Sequence, residues 1–202
     1  MRKTRELIAI VAVLILSGLA VVATAQTVKV KNGSPAATPP PEAYCTSTGG
    51  EVESRIPVYG TNGPIQSWLS LEGSRDFCQY TSASDGSRIH VLIETLFTTK
   101  PTLAALAYYA QVAYSGGGGG SPASYYCTQL GGTDLFGGVN AAGGGWVKLH
   151  TTDEVLDACI FPDMSTIDSW GLFYHSAGII RGIDLSTVLK YANPYPPTKK
   201  ND

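Results

Sequence analysis

The stretch "PPPEAYCTSTGG" at residues 39–50 returns as "SPASYYCTQLGG" at 121–132. A slide of 82 positions lays Pro40 on Pro122, Tyr44 on Tyr126, Cys45 on Cys127, and Gly49-Gly50 on Gly131-Gly132. No other feature limits the fold so tightly, because the chain's four cysteines divide between the copies. Cys45 precedes Cys78 by 33 positions, and Cys127 precedes Cys159 by 32. Four cysteines allow three pairings. The matched spacing selects Cys45–Cys78 and Cys127–Cys159, one bridge per copy. Each would close a loop worth about 3.5–4 kcal/mol on a chain-entropy estimate. A four-cysteine metal site would need short paired spacings such as C-x-x-C, and these are missing.

Shorter matches extend the repeat. "DFCQY" (76–80) answers "DACIF" (157–161), and "WLSL" (68–71) answers "WVKL" (146–149). "TLAALAYYA" (102–110) answers "DLSTVLKYA" (184–192), again at offset 82. The sequence therefore predicts an α+β chain of two helix–strands–helix modules, 39–115 and 121–193. The glycine run 116–120 would join them, a spacer would fill 26–38 and a tail 194–202. Ser121 and Pro122 start an amphipathic helix whose cysteine faces inward, and Gly131 suits its left-handed exit. "GGWVKLHTT", "LDACIFP" and "RDFCQYT" read as strands, and "IHVLIETLF" leans the same way. "DSWGLFYH" stays open between helix and strand. Helices are expected from Pro101 and, capped by Asp184, over 184–192.

The N-terminus sets an address. "MRKTRE" is a basic head, and residues 7–25 carry no charge. As a helix this run would span about 28 Å, close to a bilayer core. Ala23-Thr24-Ala25 fits a signal-peptidase site, so the run is a cleaved signal peptide or a retained anchor. Either way the remainder is expected outside the cytoplasm, where disulfides persist. Without the first 25 residues, Lys plus Arg falls from 14 to 11 and Asp plus Glu from 16 to 15, which leaves −4. That mild acidity gives no electrostatic footprint for nucleic acid.

"PASYYCTQLGG" followed by "ACIFPDMSTIDSWGLFYH" resembles the domain-of-unknown-function family 333, small exported domains often labelled haemolysin-like. Pro122, Ala123, Tyr126, Cys127, Gly131, Gly132, Cys159, Phe161, Pro162, Asp163, Ser165 and Trp170 match that pattern. Met164 replaces the family's turn glycine, and Ile167 stands where a further cysteine is usual. The resemblance implies an exported, disulfide-stapled module and carries over no catalytic residue.

Chemistry is sparse. No nucleophile elbow, P-loop or His-Glu-x-x-His stretch occurs. His90 with Glu94, and His150 with Asp153 and Glu154, are the candidates for a metal or acid–base role. Asp163 reads as a turn residue, and Asp76 and Asp157 as exposed strand positions. Tyrosine is in excess at 11 residues. Tyr108, Tyr109 and Tyr125 are therefore candidate binding-surface residues. Arg55, in the expected loop 51–67, would be the contact residue of an inhibitor-like loop. The favoured reading is a non-catalytic module that needs no cofactor or metal. It would act through a protein partner at the cell envelope or through self-association, with a membrane contact only through residues 7–25 if these are kept. The rivals are an inhibitor-like domain, a surface filament subunit, and a hydrolase or metalloenzyme using His150 or His90.

Overall fold

The computed structural model describes residues 40–117, 120–134, 142–151 and 154–195. The glycine pairs of the duplicated motif explain themselves first. Helix α1 (Pro41–Ser47) and helix α4 (Pro122–Gln129) each end two residues before a glycine in the left-handed region. Those glycines are Gly49 at φ +89° and Gly131 at φ +84°. The following glycine then returns its N–H to the cysteine carbonyl, Gly50 to Cys45 at 2.9 Å and Gly132 to Cys127 at 3.0 Å. A Cβ on Gly50 would lie 2.3 Å from Cys78 Sγ, and one on Gly132 would lie 2.4 Å from Cys159 Sγ. One glycine turns the chain and the next makes room for sulfur. The bridges are Cys45–Cys78 and Cys127–Cys159, as the spacing predicts.

After each helix the chain enters an antiparallel sheet. Its strands are β1 (Glu51–Tyr59), β2 (Leu69–Ser70), β3 (Arg75–Thr81), β4 (Arg88–Leu92), β5 (Gly144–Lys148), β6 (Val155–Leu156), β7 (Ala158–Ile160) and β8 (Thr166–Asp168). The order is β6-β5-β1-β3-β4-β8-β7, with β2 added to β1. Strands of the first cysteine-bearing half thus sit inside those of the second, through the pairs β1–β5 and β4–β8. The outermost strands, β6 and β7, are separated in sequence by Asp157 alone. The sheet is therefore nearly closed, and all described residues fall in one compact unit.

Among the described residues, helices α2 (Ile93–Phe97), α3 (Leu103–Ala110) and α5 (Ser169–Ser176) complete the secondary structure with two short 3-10 turns. They pack with α1 and α4 on the outer face of the sheet. Both disulfides, Tyr80, Ile89, Val91, Ile167 and Leu172 are buried there. The inner face holds a smaller apolar cluster of Phe77, Leu92, Trp146, Leu156 and Ala158.

Three expectations change. Residues 51–59 are a central strand and not a loop. Pro57 is tolerated because β3 pairs only as far as Arg55 and β2 begins at Val58, so its missing N–H falls between partners. "IHVLIETLF" divides, with the strand ending at Leu92 and α2 following. Residues 184–192 form only a 3-10 turn, Leu185–Thr187, behind the Asp184 cap. Tertiary partners take the helical hydrogen bonds there: Tyr44 Oη donates to the Val188 carbonyl at 2.7 Å, and Lys190 N–H donates to Leu96 at 3.0 Å. "DSWGLFYH" resolves to α5 because Asp168 caps it, accepting from Gly171 N–H.

Candidate functional site

The odd-numbered residues of β1 face inward, which carries Glu53 and Arg55 into the barrel-like interior. Arg55 is 1% exposed, and all three nitrogens of its guanidinium have partners. Nη2 and Nε reach Glu53 Oε2 at 2.6 and 3.0 Å. Nη1 donates to the carbonyls of Trp146 and Glu154. Nη2 also lies 3.0 Å from His90 Nε2. Arg55 is therefore a core strut and cannot meet a partner, which corrects its assignment to an exposed contact loop.

His90 is buried on β4, with Nδ1 3.4 Å from Asp168 Oδ2 and Nε2 3.0 Å from Gln79 Oε1. Burial opposes charge on this ring, but the Asp168 and Glu53 carboxylates outweigh it and hold the pKa above its ordinary value. Burial would also raise the Glu53 pKa. Hydrogen bonds from His90 and Lys148 and the Arg55 charge reverse that and hold it well below the usual carboxylate range. The Asp168–His90 pair has the relative placement of a base and its orienting acid. No hydroxyl or thiol among the described residues bonds Nε2, however; Arg55 and Gln79 occupy that side. Glu94 is exposed on α2, in a different element from His90, so the expected shared face is lost.

The other candidates separate in space. His150 is exposed, and Glu154 pairs instead with Arg88 at 2.7 Å. Asp153 lies outside the described residues. No cluster of three or more His, Cys, Asp or Glu suited to a metal ion occurs among the described residues. Asp157 is half-buried, not exposed. Burial first, then the Asp134 and Asp168 charges, raise its carboxyl pKa to about 7. Asp163 does make the expected turn, accepting from Ser165 N–H at 3.1 Å, and it also caps α3 through Leu103 N–H at 2.8 Å. Met164 beside it holds φ +64°, the conformation a glycine would adopt freely.

The tyrosines mostly tie backbone together. Tyr108 is 1% exposed and stacks on His175 at 3.8 Å, while accepting from Leu185 N–H. Tyr109, 8% exposed, donates to the Tyr191 carbonyl at 2.6 Å. Neither is a surface residue; of the tyrosines proposed for binding, only Tyr125 is half-exposed.

Two surfaces that sequence reasoning missed carry hollows. On the outer face of β1 and β5, a hollow of about 570 Å³ is lined by Ile56, Val58, Ile65, Trp68, Val147 and Leu149, with Ser70, His150 and Thr151. Two apolar side chains of that lining, Ile65 and Leu149, stand exposed. The apolar end of the inner face opens on a hollow of about 430 Å³, whose lining includes Pro57, Arg75, Trp146, Ile160, Met164 and Thr166. The run "WLSL" was legible only as the counterpart of "WVKL". Nothing in its pattern told that Trp68 and Ser70 would line a surface hollow.

No family model, curated protein or solved structure matches this chain. Two disulfides fit an oxidising, extracytoplasmic setting. No helix among the described residues is long and apolar enough to cross a membrane, and residues 7–25 lie outside them.

Proposed function

We propose that the chain is an exported, non-catalytic binding module that acts by protein contact at the cell envelope. It would be carried there by residues 7–25, whether these serve as signal peptide or as anchor. The observation that supports this is the outer face of β1–β5. Ile65 is 50% exposed and Leu149 41%. They belong to a hollow whose lining holds no carboxylate, lysine or arginine. Exposed apolar side chains gathered at one place mark contact surfaces. A neutral, apolar segment of a partner protein fits this surface.

The same reading treats 39–115 and 121–193 as diverged copies of one ancestral unit. The motif at offset 82 and the parallel glycine–sulfur geometry at the two disulfides support it. The likeness to family 333 shares Cys127, Gly131, Gly132 and Cys159 with that motif and adds Phe161, Pro162, Asp163, Ser165 and Trp170.

The test is affinity capture from the native cell envelope with the full-length chain and with an Ile65→Ser/Leu149→Ser variant. The reading expects a discrete protein retained by the wild type and lost by the variant, with an unchanged melting temperature. Identical capture by both would remove it. Sedimentation at rising concentration separates a foreign partner from a second copy.

A further inference from the structure

The barrel-mouth hollow, separate from the β1–β5 outer face, carries a second inference. The chain has three tryptophans. Trp68 donates its indole N–H to the Gly63 carbonyl at 3.0 Å, and Trp170 hydrogen-bonds the Asp157 side chain. Trp146 is 8% exposed, and its Nε1–H finds no acceptor among the described residues. A buried indole N–H without a partner is uncommon enough to require a cause. Trp146 lines the hollow of about 430 Å³, and Arg75 lines it too. Arg75 also borders a neighbouring hollow of about 330 Å³, with Met164 as the other shared residue. The Arg75 side chain is half-buried and makes no ion pair or hydrogen bond among the described residues. The ladder register brings these donors together: Arg75 stands opposite Arg55 on β1, and Trp146 opposite Pro57, two residues along the same inward face.

We infer that this mouth binds a monocarboxylate with an apolar body, its carboxylate held by Arg75 and the Trp146 N–H. Arginine presents a fork matched to a carboxylate. Pro57, Ile160, Met164 and the Thr166 methyl supply the apolar wall. A phosphate is disfavoured. Arg75 is the only cation among the lining residues, Glu72 lines the same hollow, and Glu94 and Asp163 line its neighbour. A doubly charged ligand would meet their repulsion without a second positive charge. The volume is in the range of small-molecule sites. Such a carboxylate belongs either to a free aliphatic acid or to the C-terminal residue of a peptide.

The test uses the full-length chain in dodecyl-maltoside micelles, labelled with 5-fluorotryptophan. Trp68→Phe and Trp170→Phe assign the three resonances. The probes are octanoate and an acetylated hexapeptide ending in leucine, each beside its neutral amide. Both acids, or one of them, should shift the Trp146 signal saturably while Trp68 and Trp170 stay still; which acid binds identifies the source. The amides should bind at least tenfold more weakly, and Arg75→Gln should weaken the acids by a similar factor. Arg75 has no side-chain partner to lose, so that variant should keep its melting temperature; the acid–amide contrast stands on the wild type alone. No Trp146 response at millimolar acid, or equal binding of acid and amide, would overturn the inference.

Discussion

At the scale of single residues, the interior of the sheet reverses the usual sense of a strand's alternation. In "EVESRIPVY" the charged positions Glu53 and Arg55 point inward, while Ser54 points out. A sequence reader assigns charged positions to the solvent face, which is how β1 becomes a loop and Arg55 a contact residue. Only the third dimension supplies their partners from other parts of the chain, His90, Lys148 and the Trp146 and Glu154 carbonyls. The same crowding leads to a prediction at Asp157. Its folded carboxyl holds its proton up to about pH 7, whereas an unfolded one releases it near pH 4. The folded state therefore binds the extra proton between those values, and stability falls as pH rises through that window. The raised pKa of His90 acts in the same sense at the upper end. Partial exposure trims the Asp157 contribution to about 1–2 kcal/mol. Urea midpoints between pH 5 and pH 8 should decline for the wild type. Asp157→Asn should flatten most of that decline; an unchanged slope would exclude the assignment.

At the scale of elements, the cysteine helices were the most legible part. Pro at the first turn, the apolar spacing through Tyr126 and Cys127, and the glycine pair all act locally, so the sequence alone could place them. The segment 184–192 was not legible in the same way. Its resemblance to "TLAALAYYA" is real, but tertiary partners claim its backbone groups. The glycine pairs make a graded prediction. Gly132→Ala drives a methyl into the Cys127–Cys159 bridge and should cost about 2–3 kcal/mol. Gly131→Ala meets no neighbour within 4 Å; it suffers only the left-handed strain of about 1 kcal/mol. Gly50→Ala and Gly49→Ala should rank alike. Denaturant midpoints of the four variants check the order, and a larger loss at either first glycine would contradict it.

At the scale of the whole molecule, two stapled halves share one sheet, which no reading of the glycine run could foretell. Cooperative unfolding follows from that sharing. Replacing Cys45 and Cys78 by serine should lower stability by about 3.5–4 kcal/mol. The residues around Trp146, in the other half, should melt at the same lowered temperature. Trp146 fluorescence and far-ultraviolet dichroism should trace one curve, and two separated steps would show that the halves melt independently. The closing of the sheet at Asp157 has one more outcome. Apart from the two-residue β2, the described strands leave almost no open hem along which another chain could be stitched. If copies of this protein assemble, they must adhere flank to flank through side chains, so such polymers should not acquire the cross-β signature of strands added end over end.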